Sequence, residues 1–268
     1  MDKIASLASV LEAYRSKGRA IAAINIDSFE FYLAAEKVAR ETGLPIIVQL
    51  SDGEDGYFGG ERLLMLVKKA QAEGVPLYTN MDHGKRIDRL TKLARLGFDM
   101  VHFDGSAMEW SLNLAITKEL VESVGEVIVE GEVDKIGGDE ESDPKKVIEM
   151  VERTGIKLVA VAVGNQHGVN PGGEHINMPL LTRIGEAVEG KAGVVLHGGS
   201  GIPMETVLAG VRGGVVKVNF NTDNRIIFGE ELRHQLTMYK GDRVYEIMQP
   251  IVEKLSINIR DKVVALAE

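Results

Sequence analysis

The chain of 268 residues carries 40 acidic and 31 basic side chains, a net charge of −9, and no cysteine. That length suits a single domain able to bury a large core without disulfides or metal. The acidic balance leaves no broad positive face, which argues against nucleic acid and membrane as partners, and the missing thiols exclude disulfides, thiolate nucleophiles and cysteine-bound metal.

The opening segment, residues 1–20, is amphipathic and carries Asp2 and Glu12; it lacks the uninterrupted apolar core of a signal peptide. No apolar run reaches the ~18 residues of a membrane span, so a soluble, cytoplasmic protein is expected. Eight short apolar runs follow, at 20–25, 45–50, 76–81, 98–103, 126–133, 157–163, 193–197 and 214–220, and each reads as a buried parallel strand. Helical spacing fills most of the intervals, as in Phe31, Ala35, Val38 and Ala39, or Leu112, Ala115, Ile116, Leu120 and Val124. Glycine-containing turns lead from several helices into the next strand, for example at 42–45, 73–76 and 154–157. Eight such units predict an α/β fold, a closed (β/α)8 TIM barrel forming one domain over 1–268, with extra C-terminal helices over roughly 224–268. Three patternless segments, 51–60, 134–143 and 164–175, each follow a strand, where barrels of this kind build their sites.

Three of the six histidines, His83, His167 and His197, each precede a glycine at the end of a predicted strand. Three imidazoles on one rim suit a metal with three protein ligands and an open position. His102, inside the fourth strand, is read as core or as a neighbour of the site, while His175 and His234 read as loop and helix-surface residues. Asp82 precedes His83 as a second candidate, a helix cap being its alternative. Glu130 and Glu132 stand two apart on the fifth strand and share a face. An inward glutamate is costly unless paired or metal-bound, which puts one of them near the metal. The loop after them joins two glycines to Asp139, Glu140 and Glu141; such a run is usually solvated, yet its place beside the rim suits a mobile acid or base. HGGSG at 197–201 and Asn219-Phe220-Asn221-Thr222 offer N–H groups and hydroxyls where barrels often hold phosphate.

Six motifs in order, DHG (82–84), FDGS (103–106), VEGEVDKIGGDE (129–140), GNQHG (164–168), LHGGSGIP (196–203) and VNFNTD (218–223), make the chain similar to the class II, zinc-dependent fructose-bisphosphate aldolases. The resemblance runs from about Ala20 to Arg225. It implies a homodimer or homotetramer that cleaves a ketose phosphate, with dihydroxyacetone phosphate as one product. By the same resemblance His83, His167 and His197 hold Zn2+, with Glu132 as an alternative ligand. Asp82 is then the acid/base at the hydroxyl and Glu140 exchanges the proton at the ketone-side carbon. Asn219 binds the hydroxyl and enediolate, and Gly168, Gly198, Ser200, Asn221 and Thr222 form the phosphate site, often accompanied by Na+ or K+. Asn25 and Ser51 match further polar positions of that site.

The chain departs from the family at Asn80, where most relatives have histidine, at Asp134, in place of glycine, at Val169-Asn170-Pro171, and in its C-terminal region. Fructose 1,6-bisphosphate, giving glyceraldehyde 3-phosphate, is the expected substrate. Tagatose 1,6-bisphosphate, another ketose phosphate or a deoxy-sugar phosphate comes next, and a catalytically silent barrel binding zinc and a phosphometabolite last.

Overall fold

The computed structural model describes residues 4–138, 140–166, 168 and 176–268. Eight parallel strands close in chain order: β1 (Ile21–Asn25), β2 (Ile46–Leu50), β3 (Leu77–Gly84), β4 (Met100–Phe103), β5 (Ile128–Glu132), β6 (Leu158–Ala160), β7 (Gly193–Leu196) and β8 (Val215–Phe220), which pairs back onto β1. The predicted barrel is therefore the observed one. Every strand residue is buried except His83, which is half-buried. Burial on both faces is why these strands read as continuous apolar runs rather than alternating ones.

The helices among the described residues are α1 (Leu7–Arg15), α2 (Phe29–Thr42), α3 (Asp52–Tyr57), α4 (Gly60–Ala72), α5 (Ile87–Leu96), α6 (Trp110–Val124), α7 (Pro144–Thr154), α8 (Met178–Ala187), α9 (Met204–Arg212), α10 (Thr222–Met238) and α11 (Val244–Ala267). Their apolar stripes and the outward face of the strands form the larger core. Inside the barrel, at the start of the strands, Ile47, Tyr78, Met100, Ile128, Val195 and Val216 pack with Leu7 and Leu11 of α1. The amphipathic opening segment is thus the floor of the barrel, fixed further by the Tyr78 hydroxyl donating to the Ala5 carbonyl at 2.9 Å.

Two sequence expectations need correction. The apolar spacing in α6 placed Leu112 and Ala115 inward, but Leu112 is 49 % exposed and the buried face carries Asn113, Leu114, Thr117 and Leu120. Hydrogen bonds decide that rotation: Asn113 Nδ2 donates to the Glu132 carbonyl at 3.0 Å and the Thr117 hydroxyl to Asn113 Oδ1 at 3.1 Å. The segment 51–60 is not patternless either, since Ser51 starts α3 with a capping box closed by Glu54. At the C-terminus, α11 lies on α2 and α10, and Ala20 N–H donates to the Leu266 carbonyl at 3.1 Å. No described helix is long and apolar enough to cross a membrane.

Candidate active site

Because side chains alternate along a strand, inward positions above the apolar floor form further layers. In this barrel those layers are polar. Gln49, Asn80, His102, Glu130 and Lys217, all 0 % exposed, occupy the middle. Nearer the strand ends come Asn25, Asp82, Glu132, His197 and Asn219, each no more than 6 % exposed. A one-residue slip of β8 against β7, between Val215 and Lys217, lets Val216 join the floor while Lys217 still faces inward.

Buried charge survives only when paired, and here each charge has its answer. Lys217 Nζ donates to Glu130 Oε2 at 2.8 Å, and Glu130 Oε1 lies 2.7 Å from His197 Nε2. A carboxylate only accepts, so His197 carries its proton on Nε2 and turns Nδ1 toward Asn219 Nδ2, at 3.1 Å. Burial and the neighbouring His83 hold His197 down to about 4, leaving it neutral at ordinary pH. Asn219 Nδ2 also donates to Asp82 Oδ1 at 3.1 Å. Burial would raise the Asp82 carboxyl, but the positive charges of His83 and Lys217 hold it well below the usual range.

His83 is the one described non-glycine residue with a left-handed backbone, at φ 49°, where the register of β3 against β4 shifts. Such a conformation persists only when its surroundings over-determine it. His102 supplies the constraint: its Nδ1 accepts from the His83 backbone N–H at 3.0 Å, and its Nε2 lies 3.3 Å from Glu132 Oε2. With Nδ1 occupied as acceptor, the ring proton sits on Nε2 and faces Glu132. His83 Nδ1 lies 3.1 Å from Glu132 Oε2 and 3.6 Å from Asp104 Oδ2. Burial opposes the charged imidazole, but Asp82, Asp104 and Glu132 prevail and push His83 up to about 11.

These groups open onto a cavity of about 480 Å³ lined by Asn25, Ser51, Asp82, His83, Gly168, Gly198, Ser200, Asn219, Asn221 and Thr222. All ten are candidates read from the sequence. Glu132 lies behind His83 rather than on the cavity wall, and Glu140 is exposed and does not line it. His167 lies outside the described residues. Asp52, Lys85, Asp104 and Arg225 line the cavity without having been singled out. Sequence reasoning also left out Lys217, whose signal was a lysine inside an apolar strand run, and left His102 undecided. Asn80 heads an amide ladder, donating to Gln49 Oε1 at 2.9 Å; Gln49 donates to Asn25 Oδ1 at 2.9 Å, and Asn25 to Glu54 Oε2 at 2.9 Å. Gly198 (φ 67°) has no Cβ because the Gln166 carbonyl occupies that position, so the loops after β6 and β7 pack backbone to backbone.

The donor set fits a divalent metal. Ligand atoms of Asp82, His83, His102 and His197 lie within 4.8 Å of one another, and those of His83, Asp104 and Glu132 form a second such group. Imidazole and carboxylate without thiolate suit zinc and its first-row neighbours.

The sequence profile described as "Fructose-bisphosphate aldolase class-II" matches residues 5–267. A probable fructose-bisphosphate aldolase of Bacillus subtilis is 32 % identical over 87 % of this chain and 86 % of its own length. A fructose-bisphosphate aldolase of Streptococcus pneumoniae is 33 % identical over 89 % and 86 %. Among solved structures, the YdjI aldolase of Escherichia coli K12 superposes with a TM-score of 0.87 at 25 % identity, covering 98 % of this chain and 97 % of that one. The profile spans nearly the whole chain, from the floor helix to the end of α11; the chain belongs to the class II fructose-bisphosphate aldolase family and is an aldolase, a carbon–carbon lyase.

Proposed function

We propose that the chain reversibly cleaves fructose 1,6-bisphosphate into dihydroxyacetone phosphate and glyceraldehyde 3-phosphate. The observation that carries this reading is the meeting of Asp82, His83 and Asn219 on one cavity that also holds the neutral cradle Gly168, Gly198, Ser200, Asn221 and Thr222, with the buried His197 bonded to Asn219. In this reading His83, His167 and His197 hold Zn2+, with Glu132 as an alternative ligand. When bound, the metal supplies Lewis-acid stabilisation of the negative charge developing on the substrate's carbonyl oxygen. Asp82, ionised at neutral pH, takes the hydroxyl proton of the aldehyde-side carbon as the carbon–carbon bond breaks. The bonding electrons pass into the enediolate of the ketone-side fragment, to which Asn219 donates, and Glu140 returns a proton to its carbon. The cradle, with Na+ or K+ beside it, takes the phosphate through its N–H groups and the Thr222 hydroxyl, and Asn25 and Ser51 orient the rest of the chain of carbons.

The substrate choice draws on the names of the Bacillus and Streptococcus relatives. Tagatose 1,6-bisphosphate and deoxy-sugar phosphates are the alternatives of the same chemistry, and the assembly is a cytoplasmic homodimer or homotetramer. Solvent-deuterium exchange into dihydroxyacetone phosphate tests the half-reaction without a choice of aldehyde. Exchange that disappears on chelation and returns with Zn2+ is the expected result; no exchange by folded, zinc-loaded protein overturns the reading and leaves a binding barrel.

A further inference from the structure

Two lysines are buried among the described residues, Lys217 at 0 % and Lys262 at 8 % exposure. The first is accounted for by Glu130. The second stands on α11, outside the barrel, and does not line the cavity. A buried ammonium is costly unless a carboxylate answers it. Its partner is Asp223 in the first turn of α10, and its Nζ lies 4.8 Å from the Phe220 ring centroid. No other acid pairs with it among the described residues. Burial pushes Lys262 down to about 7, while the neighbouring Asp223 carboxylate favours the charged form.

Asp223 is awkwardly placed for a phosphate site. It follows Asn221 and Thr222 directly and stands behind the cradle, with Oδ1 accepting from the Ser200 hydroxyl at 2.8 Å and the Asn224 N–H at 2.9 Å. Ser200 Oγ in turn accepts from the Asn221 N–H at 3.1 Å and the Asp223 N–H at 3.4 Å. The hydroxyl of Ser200 is thus a staple between the loops after β7 and β8, its proton committed to Asp223. Asn258 adds a weaker bond to Asp223 Oδ2 at 3.4 Å. Inside protein a bare carboxylate beside a phosphate dianion repels it far more than in water.

We propose that Lys262 is a positioning residue for phosphate binding: from outside the cavity it neutralises Asp223, so that this carboxylate can order Ser200 and the start of α10 without repelling the anion. The inference rests on the sugar-phosphate reading above. Its physical content is a difference in sign. Removing the lysine charge should weaken anion binding, and removing the aspartate charge should not.

Inorganic phosphate is the probe, titrated calorimetrically into zinc-loaded and into chelator-treated protein, since phosphate reaching the metal would register only in the first. Lys262→Met is expected to weaken phosphate about tenfold, with KM for the ketose phosphate rising in step and kcat holding within about threefold. Asp223→Asn is expected to keep or tighten phosphate binding, and the double variant to return toward the parent. Should Lys262→Met fail to fold, the sign of Asp223→Asn still decides. Equal binding by parent and Lys262→Met, or a loss in both single variants, overturns the proposal. A parent that binds no phosphate overturns the sugar-phosphate reading as well, whereas phosphate binding without deuterium exchange removes only the aldolase chemistry.

Discussion

The floor and the upper interior of the barrel are built by the same eight strands on the same alternation, yet they solve opposite problems. At the floor, Tyr78, Met100 and Ile128 need only volume and find it against Leu7 and Leu11. Two residues further along the same strands stand Asn80, His102 and Glu130, which need partners and find them on other strands. One end of the interior is held by packing, where hydrophobic residues of similar volume can replace one another. The other is held by directional bonds, where few replacements are tolerated.

Removing a partner should separate the two ends most sharply. Lys217→Met leaves Glu130 buried beside a neutral imidazole, a loss of about 3–5 kcal/mol; thermal melting of metal-free protein should show it, together with weaker Zn2+ retention. At the floor, Leu11→Ala should cost about 2–4 kcal/mol by leaving a cavity, with Zn2+ affinity unchanged. If Leu11→Ala disturbs the metal as much as Lys217→Met does, the two ends are not independent. His102→Leu, which releases the His83 backbone and Glu132 without touching the cavity, should weaken Zn2+ roughly 10- to 100-fold in a chelator competition. His102→Asn, able to accept from the same N–H, should recover part of that loss.

A further effect concerns protons. His83, raised to about 11, is charged in the metal-free protein at neutral pH, whereas His197, lowered to about 4, is not. A metal taking His83 must displace its proton, so Zn2+ affinity should rise about tenfold per pH unit between pH 6 and 9, with proton release seen in weakly buffered titrations. Stability of the metal-free protein runs the other way. A folded-state pKa above the ordinary 6.5 gives stability that is complete below 6.5 and is lost as the pH climbs toward about 11. A flat affinity profile would remove either the charge on His83 or its role as a ligand.

The strands were legible because burial on both faces writes an apolar run into the sequence. The cavity wall was legible because its residues sit in motifs at strand ends. Partnership between strands is what local sequence does not display. Lys217 and Glu130 are 87 positions apart, and their pairing exists only once the barrel closes. For the same reason His102 could be read as core or neighbour, since its polar partners come from β3 and β5. The face of α6 was misjudged because apolar spacing outvoted Asn113 and Thr117, whose bonds to each other and to the end of β5 lie beyond any periodicity. Lys262 gave no signal, since it directly follows Arg260 and Asp261 in the sequence.

The polar layer also bears on how the barrel comes apart. Glu130 on β5 draws its partners from β7 and β8, and Asp82 on β3 takes its nearest donor from β8. The half-barrel β5–β8 contains Glu130 with both of its partners, but Asp82 and Asn219 meet only when β3 and β8 are both in place, so an intermediate lacking either strand leaves Asp82 without that donor. Strands β3, β5 and β8 should therefore open as one cooperative unit, their amides exchanging together, while the ends of α10 and α11 open at lower cost.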